Sequence, residues 1–386
     1  MRTLLRRLAL GCAVLPVLTV ASCGTAGRPP RPASCQTAPC RLTDAVHTLV
    51  GTDGGPPGII VVIQHGTSST AVTAGVADLT TGLPPEATDA MRMASVAKAY
   101  SGATALALVG QGRLSLDDTV GKWLPTLPST WAAITLRQLL DHTSRIPDFS
   151  KQKAFGQALT ANLQQAPPPV DLLASVEGLP LLPPKGNDYS YSNSDNIIVA
   201  LMVQAVVGQP YESVLQSDVL GPLGLTHTSL PRDSALPAPT IHGYDIEPPV
   251  EDVSNLFAAG WTWSSGGVVA TPADASAFIR GYVAGQLFHG ATRAAQFHFI
   301  AGSSEPPGPG TNAAGLGLFR YTTSCGTVYG HTGNTAGYTQ FVASTADGSR
   351  SVTVSVNAQI TPTVNSQLFG QLRHIDLLGV CDALGR

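Results

Sequence analysis

The stretch Ser95-Val96-Ala97-Lys98 sets a hydroxyl and an amine three residues apart at the head of an Ala-rich apolar run, MRMASVAKAYSGATALALVG. On the first turn of a helix, residues i and i+3 share a face, so this spacing can form a nucleophile and its base. A Ser at a helix start also sits near free backbone N–H groups, which favour developing negative charge. Lys98 lies between Ala97 and Ala99. Apolar surroundings lower a lysine pKa and make the neutral amine available. The plainer reading is a helix cap beside a surface lysine. A second Ser-x-x-Lys, Ser150-Lys151-Gln152-Lys153, lies in the polar, loop-like stretch IPDFSKQKAFG. With 5 Lys and 30 Ser in 386 residues, about 0.4 such matches arise by chance, so the spacing alone does not decide.

Two further segments do. DYSYSNSDNIIVALM contains Tyr191-Ser192-Asn193, and VYGHTGNTAGY contains His331-Thr332-Gly333 at the edge of a predicted strand. In this order, Ser-x-x-Lys, Tyr-x-Asn and His-Thr-Gly resemble the three signatures of the serine β-lactamase and penicillin-binding-protein superfamily. The resemblance is strongest to its class C-like branch and to exported D-alanyl-D-alanine carboxypeptidases of actinobacteria. It extends to RMASVAK, GRLSLDDTV, ITLRQLLDHTS, YSYSN and AGLGLFRY, and spans roughly residues 43–380. Ser194-Asp195-Asn196 spells the Ser-Asp-Asn of class A β-lactamases, but it starts three residues after Tyr191 and both cannot be the motif. Tyr191-Ser192-Asn193 is favoured because it precedes the apolar helix, with Ser194 or Asp195 as that helix's cap.

The resemblance implies acyl transfer through a covalent enzyme. Ser95 attacks, and Lys98 takes its proton directly or through Tyr191. Two adjacent cations would lower the Tyr191 phenol from its usual value near 10. Tyr191 then passes the proton to the leaving amine and later activates water. Asn193 offers its amide to Lys98 and to the substrate amide. The backbone N–H groups of Ser95 and Asn334 form the oxyanion hole. His331 and Thr332, with Gly333, bind the substrate carboxylate, so affinity should fall as pH rises through the His331 pKa. Two departures stand out: Arg145 replaces the glycine usual after His-Thr-Ser, and Ala97 replaces a commoner Thr. Arg145 could alter its loop or reach toward the cleft. His142 reads as a loop-ordering residue, and the four Trp as core or cleft wall.

These residues need elements to hold them. Gly58–Gln64 and TAVTAGVADL, either side of HGTS, read as a strand hairpin. Helical periods follow in ATALALVGQGRL, ITLRQLLDHTS and SDNIIVALMVQAVVG, the last stopped by Gly208. TVYGHTG, TQFVAST and SVTVSVNA read as adjacent strands, and TVNSQLFGQLRHIDLLGV as a closing helix. Thr43 would cap a first helix, DAVHTLVG. The fold class is α/β (α+β): an antiparallel-sheet domain flanked by helices over 43–386, with an all-α insert at roughly 100–260.

Before that domain, Arg2, Arg6 and Arg7 precede an apolar run ending at Val20-Ala21-Ser22-Cys23, which resembles a bacterial lipobox. The expectation is a signal over 1–22, a lipid on Cys23 and a Pro/Gly-rich tether over 23–42, with plain secretion as the alternative. Losing residues 1–22 removes three Arg and no acid, moving the net charge from −3 to −6. That, and the lack of a basic stripe, argues against nucleic acid. Cys35, Cys40, Cys325 and Cys381 remain, an even number that favours disulfides in an exported chain. Cys35 with Cys40 and Cys325 with Cys381 is the favoured of three pairings. No metal or organic cofactor is implied, and a monomer is expected. Carboxypeptidase action on peptidoglycan stem peptides ranks first, then an esterase and a β-lactamase acting on small acyl esters or β-lactams. A non-hydrolytic protein that binds cell-wall fragments is the reading of another class.

Overall fold

The structure is a computed structural model that describes residues 37–386. Its first element is helix α1, Ala38–Val50, followed by the hairpin β1, Gly58–His65, and β2, Ser68–Gly75. Among the longer helices of the middle are α2, Ala97–Gly110; α3, Asn193–Val207; and α4, Pro272–Ala284. Six strands follow: β3, Ile300–Ala301; β4, Thr311–Gly315; β5, Leu318–Thr323; β6, Gly326–Thr335; β7, Tyr338–Ser344; and β8, Arg350–Val356. Helix α5, Ser366–Ala383, ends the chain's regular structure.

The eight strands form one antiparallel sheet in the order β2-β1-β8-β7-β6-β5-β4-β3. Strand β1 is apolar at consecutive positions because both sheet faces are covered. Ile59, Val61 and Ile63 join Leu42, Val46, Leu372 and Ile375 of α1 and α5. Ile60 and Val62, pointing the opposite way, join Phe278, Ile279 and Tyr282 of α4. Between β2 and β3 no segment joins this sheet, and the chain is largely helical there. Helix α2 closes on the sheet because Gly102 and Gly317 meet backbone to backbone; a Cβ on Gly102 would stand 2.7 Å from the Gly317 Cα.

Helix α1 begins earlier than its sequence suggests. Thr37 is its N-cap, and Pro39 sits in the first turn, where its missing N–H costs nothing. Thr43 instead lies inside the helix, its hydroxyl donating to the Pro39 carbonyl at 2.9 Å. The helix thus starts within the stretch read as a tether, and buried Leu42 anchors it. Residues 1–36, with Cys23, Cys35 and the signal segment, lie outside the described residues. Thr311–Gly315 and Leu318–Thr323 were not singled out as strands from sequence, since their short alternating runs carry glycine and charge.

Cys325, in the turn between β5 and β6, is disulfide-bonded to Cys381 of α5, with 5.1 Å between their Cα atoms. Cys40 is also disulfide-bonded. The Cys325–Cys381 bond closes a span of 56 residues. Its entropic effect on the unfolded chain is about 4 kcal/mol at most. Replacing both cysteines by Ser should lower the unfolding free energy in urea by about 2–4 kcal/mol. A loss under about 1 kcal/mol would show that the unfolded chain is constrained by other means.

Candidate active site

Ser95 lies in a single 3-10 turn, Ala94–Val96, that leads directly into α2. Ala94 has φ 49°, a left-handed conformation that its Cβ disfavours. Backbone strain of this sort is characteristic of positions that hold a reactive side chain at a fixed angle. One helical turn on, Lys98 is 1 % exposed. Its Nζ has three oxygen neighbours: Ser95 Oγ at 3.0 Å, Asn193 Oδ1 at 2.6 Å and the Ser265 carbonyl at 2.7 Å. Two of these oxygens can only accept. A neutral amine gives its two hydrogens to Asn193 and Ser265 and turns its lone pair toward the Ser95 hydroxyl. Burial is the largest influence on Lys98 and takes its pKa down to about 7, with the charge of Asp148 the first to oppose it. The neutral form is therefore abundant near pH 7.

Tyr191 and Asn193 approach from the start of α3. Lys98 Nζ stands 5.1 Å from the Tyr191 ring centroid. Tyr191 Oη is buried without a hydrogen bond of normal geometry, although Ser95 is near enough to offset part of the burial cost. Burial holds its pKa well above 10, so the expected lowering by cations is overturned: Tyr191 is a phenol and a proton donor. Asn193 also departs from expectation. Its Nδ2 donates to Asp148 Oδ2 at 2.9 Å and to Ser150 Oγ at 2.9 Å, so it is spent on the protein and not aimed at substrate. Sequence reasoning does not reach Asp148 or the Ser265 carbonyl: Asp148 lies in the polar, loop-like stretch IPDFSKQKAFG, and backbone oxygens carry no sequence signal.

The competing frame, Ser194-Asp195-Asn196, points away. Ser194 Oγ donates to the Pro147 carbonyl at 2.6 Å, and Asn196 accepts from Ser101 Oγ at 2.5 Å. Neither Ser194 nor Asp195 caps α3; Ser192 is its N-cap. Asp195 is fully buried against His142 Nδ1 at 2.8 Å and Ser144 Oγ. Burial pushes Asp195 well up and His142 down to about 3, so the two meet in a hydrogen bond closed off from solvent. Arg145 occupies φ 63°, the reason a glycine is at home there, and its Nε donates to the Leu182 carbonyl at 2.7 Å. It braces a loop.

Strand β6 supplies the opposite wall. A Cβ on Gly333 would lie 2.4 Å from the Met93 carbonyl and 3.2 Å from the Ser95 nitrogen, so only glycine allows the strand this close to the Ser95 turn. Residues 326–330 of β6 pair with β5, whereas 331–335 pair only with β7. The tight turn sets Thr335 opposite Tyr338 as a hydrogen-bonded pair. By alternation Gly333 and His331 also bond β7, and the N–H and C=O of Thr332 and Asn334 face the unpaired edge. The Asn334 N–H is thus free of the β7 ladder and close to the Ser95 turn.

His331 and Thr332 do not form the expected carboxylate clamp. His331 is 1 % exposed, and its Nδ1 must carry a proton because its partner at 2.5 Å is the Thr332 carbonyl. Burial, then the charge of Lys98, push its pKa down to about 3, so it is neutral across the physiological range. The predicted loss of affinity through its titration near neutral pH is withdrawn. Thr332 lies opposite Phe341, on the face toward α5, and its Oγ1 donates to the Pro306 carbonyl at 2.6 Å. Among the described residues no cluster of His, Cys, Asp and Glu is placed to hold a metal ion.

Comparison with known proteins agrees with this arrangement. The Beta-lactamase family model matches residues 42–374. Protein flp of Staphylococcus aureus is 25% identical over 229 residues, 58% of this chain and 45% of that protein. A D-aminopeptidase of Cereibacter sphaeroides is 27% identical over 340 residues, 86% of this chain and 63% of that protein. The chain therefore spans about half to two thirds of these relatives' length. Among solved structures, a D-stereospecific amidohydrolase from Streptomyces sp. superposes with TM-score 0.74 at 27% identity, covering 86% of this chain and 97% of that one. With its antiparallel sheet, helical middle and matching family model, the chain belongs to the Beta-lactamase family of serine hydrolases.

Proposed function

We propose that this chain is a serine amidohydrolase that cleaves amide bonds of D-amino-acid substrates through an acyl-enzyme. The carrying observation is Lys98, held by two obligate acceptors with its third contact on Ser95 Oγ and its pKa near 7. Ser95 Oγ gives its proton to Lys98 and attacks the carbonyl carbon. The N–H groups of Ser95 and Asn334 receive the oxyanion, each worth about 3–4 kcal/mol in comparable sites. As the C–N bond breaks, a proton passes from Lys98 through the Tyr191 hydroxyl to the departing amine. Water then attacks the ester carbon, its proton passing through Tyr191 to Lys98, and as the C–O bond breaks Lys98 returns a proton to Ser95 Oγ and the acid leaves.

The finer reading, D-alanyl-D-alanine carboxypeptidase action on peptidoglycan stem peptides, asks for a cation that receives a C-terminal carboxylate. Neutral His331 and loop-bound Arg145 supply none, and the Lys151 ammonium is already paired with Glu305. The charges that act most on Lys98 are acidic, Asp148 first and then Glu305. An acidic cleft suits a substrate with a free amine, as the name of the D-aminopeptidase suggests for that protein. We infer export as well, since a disulfide such as Cys325–Cys381 persists in oxidising compartments. We place the protein outside the cell membrane, held through a lipid on Cys23.

The test compares D-alanine amide, L-alanine amide, an acylated peptide ending in D-Ala-D-Ala, and a short acyl ester. Faster release of ammonia from D-alanine amide than of D-alanine from the peptide is expected. The opposite order returns the carboxypeptidase, ester-only turnover the esterase, and inertness toward all four the binding protein.

A further inference from the structure

One ion pair links the segment beside Asn193 to the segment beside β6. Lys151 Nζ lies 3.1 Å from Glu305 Oε2 and 3.2 Å from Oε1, across 154 residues of sequence. The Lys151 side is tied to the helical wall, since its neighbour Ser150 accepts from Asn193 Nδ2. The Glu305 side is tied to the sheet wall, since its neighbour Pro306 accepts from Thr332 Oγ1 beside the open edge of β6. Both side chains are about half exposed, 54% and 53%. An exposed pair of this kind holds weakly and opens readily.

We propose that Glu305 is the anchor for the substrate's ammonium group, and that Lys151 Nζ occupies that position until substrate arrives. This rests on the amine-bearing substrate proposed above. A lysine ammonium and an α-ammonium are the same chemical group, so the bidentate seat of Lys151 on the carboxylate is the seat an α-ammonium would take. The other carboxyl groups near the site are committed. Asp148 is 5 % exposed and engaged by Asn193 and by Ser150, and Asp195 is sealed behind His142. Glu305 is the acid whose partner is a flexible, solvent-exposed chain that can swing aside. Ser150, the residue before Lys151, shares Asn193 with Lys98, which ties the pair to the reacting groups. Displaced Lys151 returns toward Asp148, already 3.9 Å away.

The experiment measures the preference ratio, kcat/KM for a free-amine substrate over that for its N-acetyl counterpart. It uses D-alanine p-nitroanilide and D-alanine p-nitrophenyl ester, each with its N-acetyl form. The whole chain should prefer the free amine in both series. Glu305→Gln should reduce the ratio about tenfold or more, and Lys151→Gln should raise it several-fold. Turnover of esters alone would refute the amidohydrolase, while the ester ratio would still report on Glu305. An unchanged ratio in Glu305→Gln, or no free-amine preference in either series, would overturn the anchor. So would an absence of all turnover.

Discussion

Ser95→Ala should reduce kcat by about 10^4- to 10^6-fold and abolish covalent labelling by a fluorescent penicillin, whereas Ser150→Ala should keep both within about tenfold. The two serines sit in identical Ser-x-x-Lys spacing, yet their surroundings differ. Ser95 Oγ has Lys98 Nζ at 3.0 Å, and Gly333 presses strand β6 against its backbone nitrogen. Ser150 Oγ donates to Asp148 Oδ1 at 2.8 Å and accepts from Asn193, and its i+3 lysine opens the exposed helix Lys153–Ala161. It has no base. Time-resolved labelling of the three proteins decides the matter. Labelling that survives in Ser95→Ala would refute the assignment of the nucleophile.

The second large effect concerns protonation. Because Lys98 must be neutral to accept the Ser95 proton, acylation should rise with pH and reach half its plateau near pH 7, where its pKa lies. The sign follows from the group: a base is inactive below its pKa and active above it. Lys98→Arg should lose about 10^3-fold or more at every pH, since a guanidinium does not deprotonate in this range. Asp148→Asn tests the positioning of the base. Removing the charge that most opposes the lowering should move the acid limb below pH 7. It also loosens the grip on Asn193 Nδ2, so kcat should fall more than KM changes. A pH profile of single-turnover acylation reads both effects. A limb that does not move in Asp148→Asn would reduce Asp148 to a structural residue.

Much of the site was legible because it is built from short, ordered spacings. Ser95 and Lys98 share a helix turn, and Tyr191 and Asn193 share the entry to α3, so local sequence is enough to group them. Hydrophobic period likewise gave the β1–β2 hairpin and the strands from β6 to β8. Charge states were the harder part. His331 and Tyr191 looked like titrating groups, but solvent exclusion by parts of the fold far apart in sequence decides both, and in the opposite direction. Asp148 was missed for a related reason: its partner Asn193 is 45 residues away. Arg145 is the converse case, since a positive φ explains its discord with the usual glycine only once the loop to Leu182 is visible.

The half of β6 left without a neighbour carries a hazard as well as a use. Unpaired strand edges invite a second chain to extend the sheet, and that route leads to aggregation. Here the bare stretch spans 331–335, and alternation leaves only Thr332 and Asn334 presenting backbone groups outward. Two residues are too few to nucleate a lasting intermolecular ladder, and Pro306 and Pro307, which lack N–H donors, stand beside it. The protein can therefore keep this edge open to a ligand without offering a second chain a template for sheet extension.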